Sequence, residues 1–222
     1  SMNQTAAQVT NKYIIQAGVE YVLVSAHLGA RHDKKYPNGI PSHDAWQGKV
    51  YKIDGSDKDT PNLVESTGYD IDSATGEGHV VNPLGLHGYN CRHSHKPWDK
   101  SLRNPYVDEN GNPKIDVHES QELYDLQQRQ RAMERAIRKT KRRLLMKEAE
   151  LKGFPNNPNL IDEYDKLSYR LRLQNREYGS FCAEHDLTRQ YDRVKIAGFG
   201  RDNSSKANGR AASYEKKLEK EE

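Results

Sequence analysis

Three short runs hold most of the side chains in this sequence that could do chemistry. They are Val24-Ser25-Ala26-His27-Leu28-Gly29-Ala30-Arg31, His43-Asp44-Ala45-Trp46-Gln47-Gly48-Lys49-Val50-Tyr51, and Gly85-Leu86-His87-Gly88-Tyr89-Asn90-Cys91-Arg92-His93-Ser94-His95-Lys96-Pro97-Trp98. If the runs converge, three kinds of work are open to them. His27, His43 and His93 could serve as general acid and base beside Gln47, with Arg31 or Lys49 on a phosphate, the make-up of a metal-free nuclease. Cys91, His93 and His95 alternate, so a strand would turn all three to one face, and His27 or His43 could complete a tetrahedral zinc set, although the spacing matches no common zinc signature. The third reading is structural. Arginine carries five donors and tryptophan a large apolar surface, so Arg31, Trp46, Gln47, Gly48, Lys49, Asn90, Arg92 and Trp98 can lock loops together by stacking and by bonding backbone carbonyls. Cys91 is then a small packing residue. The structural reading is preferred, because the runs lie where regular structure is scarcest.

The elements that must position these runs follow from periodicity. Gln4 to Ala17 has a helical spacing of apolar residues, ended by Gly18. Tyr21 to Ala26 reads as a buried strand and Gly48 to Ile53 as another, with Ser42 capping a short helical turn through Trp46 between them. Leu63 to Val81 shows no pattern strong enough to assign, apart from a short strand at Val80-Val81. Cys91 to Lys96 is a further candidate strand, and Asn110-Gly111-Asn112-Pro113 signals a reverse turn.

From His118 the texture becomes helical as far as Lys152, with Leu123, Leu126, Met133, Ile137, Leu144 and Leu151 at spacings of one face. Gly153 stops that helix, and Phe154 to Asn159 connect it to a second, written by Leu160, Tyr164, Leu167, Leu171, Tyr178 and Phe181. Two narrow stripes so joined predict an antiparallel helical hairpin. The expected fold is α+β. An irregular small mixed domain spans 1–117 and a protruding basic hairpin spans 118–186. Residues 187–222 form a segment returning to the first domain through Val194 to Phe199, then a disordered charged tail from Arg201.

Composition bounds the function. Of 222 residues, only 34% are hydrophobic and 30% are charged, a thin apolar supply for one compact core of this length. No apolar run approaches the roughly 20 residues a membrane span needs, so a soluble chain is expected. Two cysteines, Cys91 and Cys182, set no disulfide framework and suit a reducing compartment. Ser1 ahead of Met2 reads as a cleavage scar, so a longer parent polypeptide is expected.

The net charge of +3 conceals an uneven distribution: Arg129 to Lys147 contains nine basic residues against one acid, Glu134. Exposed helices ordinarily intersperse signs to gain i to i+4 pairs, so this excess points to a polyanion, with Arg135, Arg138, Lys139, Arg142 and Arg143 at its centre.

Several segments carry a resemblance. Ser25-Ala26-His27 with Gly29-Ala30-Arg31, Ser42-His43 with Trp46-Gln47-Gly48-Lys49-Val50-Tyr51, Thr67-Gly68-Tyr69, and Asn90-Cys91-Arg92-His93-Ser94 occur in the order that resembles the phage minor capsid protein 2 family. The likeness runs on through Leu126-Gln127-Gln128-Arg129-Gln130-Arg131 and Glu134-Arg135-Ala136-Ile137-Arg138. That family is similar in turn to the Mu F-like phage head-morphogenesis proteins, which end in a comparable Asn-Cys-Arg segment. The resemblance implies a minor structural component of a tailed-phage head, made in the host cytoplasm and assembled at the portal or inside the capsid. Its implied partners are portal or capsid proteins and, non-specifically, DNA.

Some phage head proteins of this type also resemble ADP-ribosyltransferases or are joined to toxin domains, which keeps an NAD-using alternative open through Arg31 and Ser66-Thr67-Gly68. The Glu-x-Glu or Gln-x-Glu pair of such enzymes is not matched, since Gln121-Glu122 falls at the start of the long helix. No cofactor is expected under the structural reading; zinc or NAD belongs to the alternatives.

Overall fold

In the computed structural model, which describes residues 2–55 and 57–221, Tyr21–Val24 forms strand β1 at the centre of a three-stranded antiparallel sheet. It pairs with β2 (Val50–Lys52) on one side and β5 (His95–Trp98) on the other, with Val22 facing Tyr51 and Pro97. Val22, Leu23 and Val24 are all fully buried, so both faces of this strand are covered and its sequence shows a continuous apolar run. The chain divides into two units, Ser1–Asp125 and Leu126–Glu222.

Within the first unit, helix α1 (Met2–Gln16) turns Ala7, Asn11 and Ile14 inward at i, i+4 and i+7, while Val9 and Tyr13 face solvent. Gly18, at φ +64°, ends it in the left-handed conformation that glycine adopts without strain. A short turn α2 (His43–Trp46) precedes β2. Helix α3 (Leu63–Thr67) is capped by Asn62, whose side chain accepts from the Glu65 amide, and leads into a hairpin of β3 (Tyr69–Ile71) and β4 (Gly78–Val80). Val22, Val24, Trp46, Tyr51, Leu63, Tyr69 and Leu86 belong to one apolar cluster.

Several expectations are corrected in this unit. The first strand stops at Val24, and residues 91–94 are extended coil ahead of a strand that begins at His95. The stretch from Leu63 contains α3 and β3, elements too short for periodicity to reveal. Ser42 precedes α2 without capping it through its side chain; its hydroxyl accepts from the Asp33 amide at 2.8 Å instead.

Helix α4 (Val117–Gly153) starts in the first unit and continues in the second. Its first turns bond into the first unit, where the Gly29 amide donates to Ser120 Oγ and Gln121 Nε2 donates to Asp44 Oδ2. In the second unit α4 pairs antiparallel with α5 (Pro158–Glu184). Contacts of Gln130 with Cys182, Glu134 with Tyr178 and Lys147 with Glu163 descend along α5 as they climb α4. Ile137, Leu144, Tyr164, Leu167, Leu171, Tyr178 and Cys182 fill the interior. Asn157 caps α5 through its side chain and Pro158 occupies the first turn, where its missing N–H costs nothing.

Two further expectations fail here. Residues 187–200 run along α4 within the second unit, where Gln130 Nε2 donates to Thr188 O at 2.9 Å and Lys141 Nζ to Val194 O at 2.7 Å, and Val194 and Phe199 join that unit's apolar cluster. The charged segment from Arg201 is not disordered but forms helix α6 (Arg201–Glu221), parallel to α5. Buried Ala207 and Ala211 allow close approach, and Arg210 pairs with Asp165 at 2.8 Å, Arg172 with Glu215 at 3.3 Å, and Lys206 with Glu148 at 2.9 Å. Small residues and ion pairs hold α6, which is why its low hydropathy resembled disorder.

Candidate functional site

The ring-bearing runs do converge. His43 comes from α2, His27 from the loop after β1 and His93 from the coil before β5, and the rings of His27, His43 and Trp46 meet around His93. His27 stacks on His93 with centroids 4.3 Å apart, His43 lies 4.5 Å from Trp46 and 5.2 Å from His93, and Trp46 lies 4.9 Å from His93. His43 and His93 are only 2% and 1% exposed, while His27 at the edge of the cluster is half-buried.

Hydrogen bonds fix how each ring is protonated. His43 Nε2 lies 2.8 Å from Leu84 O, and a carbonyl only accepts, so Nε2 carries the proton and Nδ1 the lone pair. Gln47 Oε1 accepts from the His27 amide at 3.0 Å, which identifies that amide atom as oxygen; His93 Nε2, 3.1 Å away, must therefore donate to it. His27 Nδ1 donates to Leu28 O at 3.0 Å, leaving Nε2 buried and without a hydrogen-bond partner. Cys91 Sγ lies 3.7 Å from the lone pair on His93 Nδ1.

Burial lowers the pKa of all three imidazoles, with His43 brought to about 4 and His93 to about 2; the charge of Arg31 adds to the effect on His43 and that of Arg92 to the effect on His27 and His93. Burial pushes the Cys91 thiol up, while backbone hydrogen bonds from His93 and His87 and the charges of Arg31 and Arg92 oppose it. The rings are thus neutral acceptors at physiological pH.

The guanidiniums and the indole bind backbone. Arg31 donates to Leu84 O at 3.0 Å and to Tyr89 O at 2.5 Å, Arg92 to Gly29 O at 3.2 Å, and Trp46 Nε1 to Ile40 O at 2.8 Å. Lys49 Nζ donates to Ala45 O, and Gly48 O accepts from Asn104 at 2.8 Å with its own backbone at φ +71°. Asn90 sits at φ +57° in the turn before Cys91. Gly85 lets this loop close, because a Cβ there would stand 2.1 Å from Thr67 O. Beside the rings, Gln47 and Lys49 line a cavity of about 700 Å³ together with His32 and Asp44, which are themselves paired at 2.9 Å.

Two of the grouped residues stand apart from the ring cluster. Trp98 faces Tyr21 at the far end of the sheet, under Lys96. His95 does not share a site with Cys91 and His93, because no strand aligns the three. Its Nδ1 meets His87 Nε2 at 2.8 Å and its Nε2 meets Asn11 Oδ1 at 2.8 Å. Asn11 donates onward to the Tyr69 hydroxyl at 2.9 Å. This second buried network was missed from sequence, although a lone Asn on the inward stripe Ala7-Asn11-Ile14 was its available sign.

The NAD-directed segments are likewise engaged elsewhere. Thr67 Oγ1 donates to Leu63 O at the end of α3, Gln121 holds Asp44, and Glu122 pairs with His118 at the helix surface.

The polyanion candidates lie in the second unit. Arg135, Lys139, Arg142 and Arg143 are exposed on the side of α4 opposite buried Glu134, Ile137 and Leu144, and among the described residues none of the four forms an ion pair. Arg138 is only half-exposed and donates to Arg193 O.

Interior rings and guanidiniums grip backbone in the first unit, and in the second cations face outward along α4. The chain belongs to the phage minor capsid protein 2 family, whose model matches residues 1–167. It is a minor capsid protein with a structural role in the virion. No curated protein and no solved structure matches it. Among the described residues no helix is long and apolar enough to cross a membrane.

Proposed function

We propose that this minor capsid protein acts in head morphogenesis, where the outward face of α4 binds packaged DNA without sequence preference while the first unit serves as a rigid body docked on portal or capsid protein. The observation that carries the reading is the stripe Arg135, Lys139, Arg142 and Arg143, whose guanidinium and ammonium groups have no carboxylate partner among the described residues. Backbone phosphate is the polyanion a head protein meets at highest density, and cations spaced along one helix face suit a uniform line of charge.

The test is a mobility shift of duplex DNA across a salt series. Retardation is expected at low salt and should fade steeply as salt rises. Replacing all four residues with Gln should reduce the slope of log affinity against log salt by about 3 to 4. No retardation by the wild-type chain at low salt overturns the reading.

A further inference from the structure

We propose that His43, Cys91 and His93, joined by His27, form a buried structural zinc site in the first unit. His43, Cys91 and His93 bring candidate ligand atoms within 4.8 Å of one another, and all three are buried. Tetrahedral zinc needs N and S ligands roughly 3.3 to 3.8 Å apart, and Cys91 Sγ already lies 3.7 Å from His93 Nδ1.

The surrounding bonds prepare the same arrangement. Each imidazole uses one nitrogen to donate to an oxygen: His43 to Leu84 O, His93 to Gln47 Oε1, His27 to Leu28 O. Each therefore retains one lone pair, and this pattern of outer-shell acceptors orients and holds histidine ligands on a metal. Three lone pairs and one thiol do not satisfy one another. The thiol has a single proton to donate, and His27 Nε2 remains buried and unpartnered. A divalent cation takes the donors of His43, Cys91 and His93, which lie within 4.8 Å of one another, and gains His27 Nε2 as the fourth once that ring, 4.3 Å from His93, turns toward it.

Nitrogen and sulfur donors with no carboxylate among them select zinc over magnesium or calcium. On binding, Cys91 releases its proton to solvent and becomes the thiolate ligand, so the site carries one net positive charge. Arg31 and Arg92 favour the thiolate from nearby while their donors remain on Leu84, Tyr89 and Gly29 carbonyls. With His43, Cys91 and His93 buried and His27 filling the fourth position, no position is left for substrate, which makes the role structural: the metal ties α2, the loop after β1 and the coil before β5 together. The inference is independent of the DNA reading and fails separately from it.

The full chain, purified without chelator, should carry about one zinc per molecule by elemental analysis. Cobalt exchanged into it should give a thiolate charge-transfer band and the visible absorption of a tetrahedral centre. Cys91→Ser should lose that band; Cys182→Ser, in the other unit, and His95→Asn should keep it. Chelator should lower the melting temperature of the first unit in the wild-type chain, a readout that needs no variant to fold. Folded wild-type protein with no bound zinc, a featureless cobalt spectrum and a melting temperature indifferent to chelator overturns the proposal. A band lost in His95→Asn and kept in His43→Asn overturns the ligand assignment.

Discussion

The two units of this chain solve the same problem with different means. In the second, α4 and α5 bury apolar stripes against each other at regular spacing, and α6 joins them through small residues and ion pairs. In the first, the strands are three or four residues long, and long-range order comes from rings and guanidiniums that reach across 41 to 63 positions to backbone carbonyls, as His43 and Arg31 do at Leu84 and Arg92 does at Gly29. Helix packing spreads its stabilisation over many contacts. Loop pinning concentrates it on a few polar, aromatic residues, so the first unit should be far more sensitive to single substitutions and to acid.

That contrast can be broken in three ways. Trp46→Ala removes the indole packed on His43 and His93 and the donor to Ile40 O; it should cost the first unit about 3 to 5 kcal/mol, read by denaturant unfolding, while the helical signal of the second unit keeps its midpoint. An unchanged midpoint for the first unit would refute the pinning account.

Acid is the next largest lever. Burial lowers His87 to about 4 and His95 to about 3, so in the folded state both stay neutral where the unfolded chain, near 6.5, takes up protons. The unfolded state binds more protons in that window, so stability rises with pH; it is fully present above 6.5 and is lost as pH falls toward 4. The pair should account for on the order of 3 kcal/mol. A pH series of thermal melts followed by tryptophan fluorescence, with Trp46 and Trp98 both in the first unit, should show that loss, whereas the second unit, with a single histidine, His185, keeps its helicity over the same range.

The smallest effect tests the other side. Tyr178→Phe removes the hydroxyl that donates to buried Glu134 at 3.1 Å and accepts from the Gln190 amide at 2.9 Å. It should cost the second unit about 1 to 3 kcal/mol by leaving those groups unsatisfied, measured by helical signal in urea. No change would mean that Glu134 finds another donor, with Arg193 at 3.9 Å the nearest cation.

What was readable in the sequence divides along the same line. Leu144, Leu167, Leu171 and Tyr178 announced the helical pair because their spacing is the period of the element they build. The convergence of His27, Trp46 and His93 was readable as residue type, since rings and guanidiniums gathered in loops have few other uses. Their partners were not: Leu84, Ile40 and Gly29 contribute carbonyls, which every residue owns and no side chain advertises. His95 misleads because its alternation with Cys91 and His93 suggests a shared strand face, whereas residues 91–94 are coil. Helix α6 was hidden by its own chemistry, since Ala207 and Ala211 pack by being small and Arg210 by pairing with Asp165, none of which registers as hydrophobic periodicity.

The path of residues 187–200 along α4 carries a consequence for how this protein can vary. Gln130, Arg138 and Lys141 grip that segment through the oxygens of Thr188, Arg193 and Val194. An oxygen of the main chain survives any replacement at its own position, whereas the donor does not. Mutational tolerance should therefore be lopsided, with the gripped ribbon at Thr188 drifting widely and its three holders on the helix kept as they are.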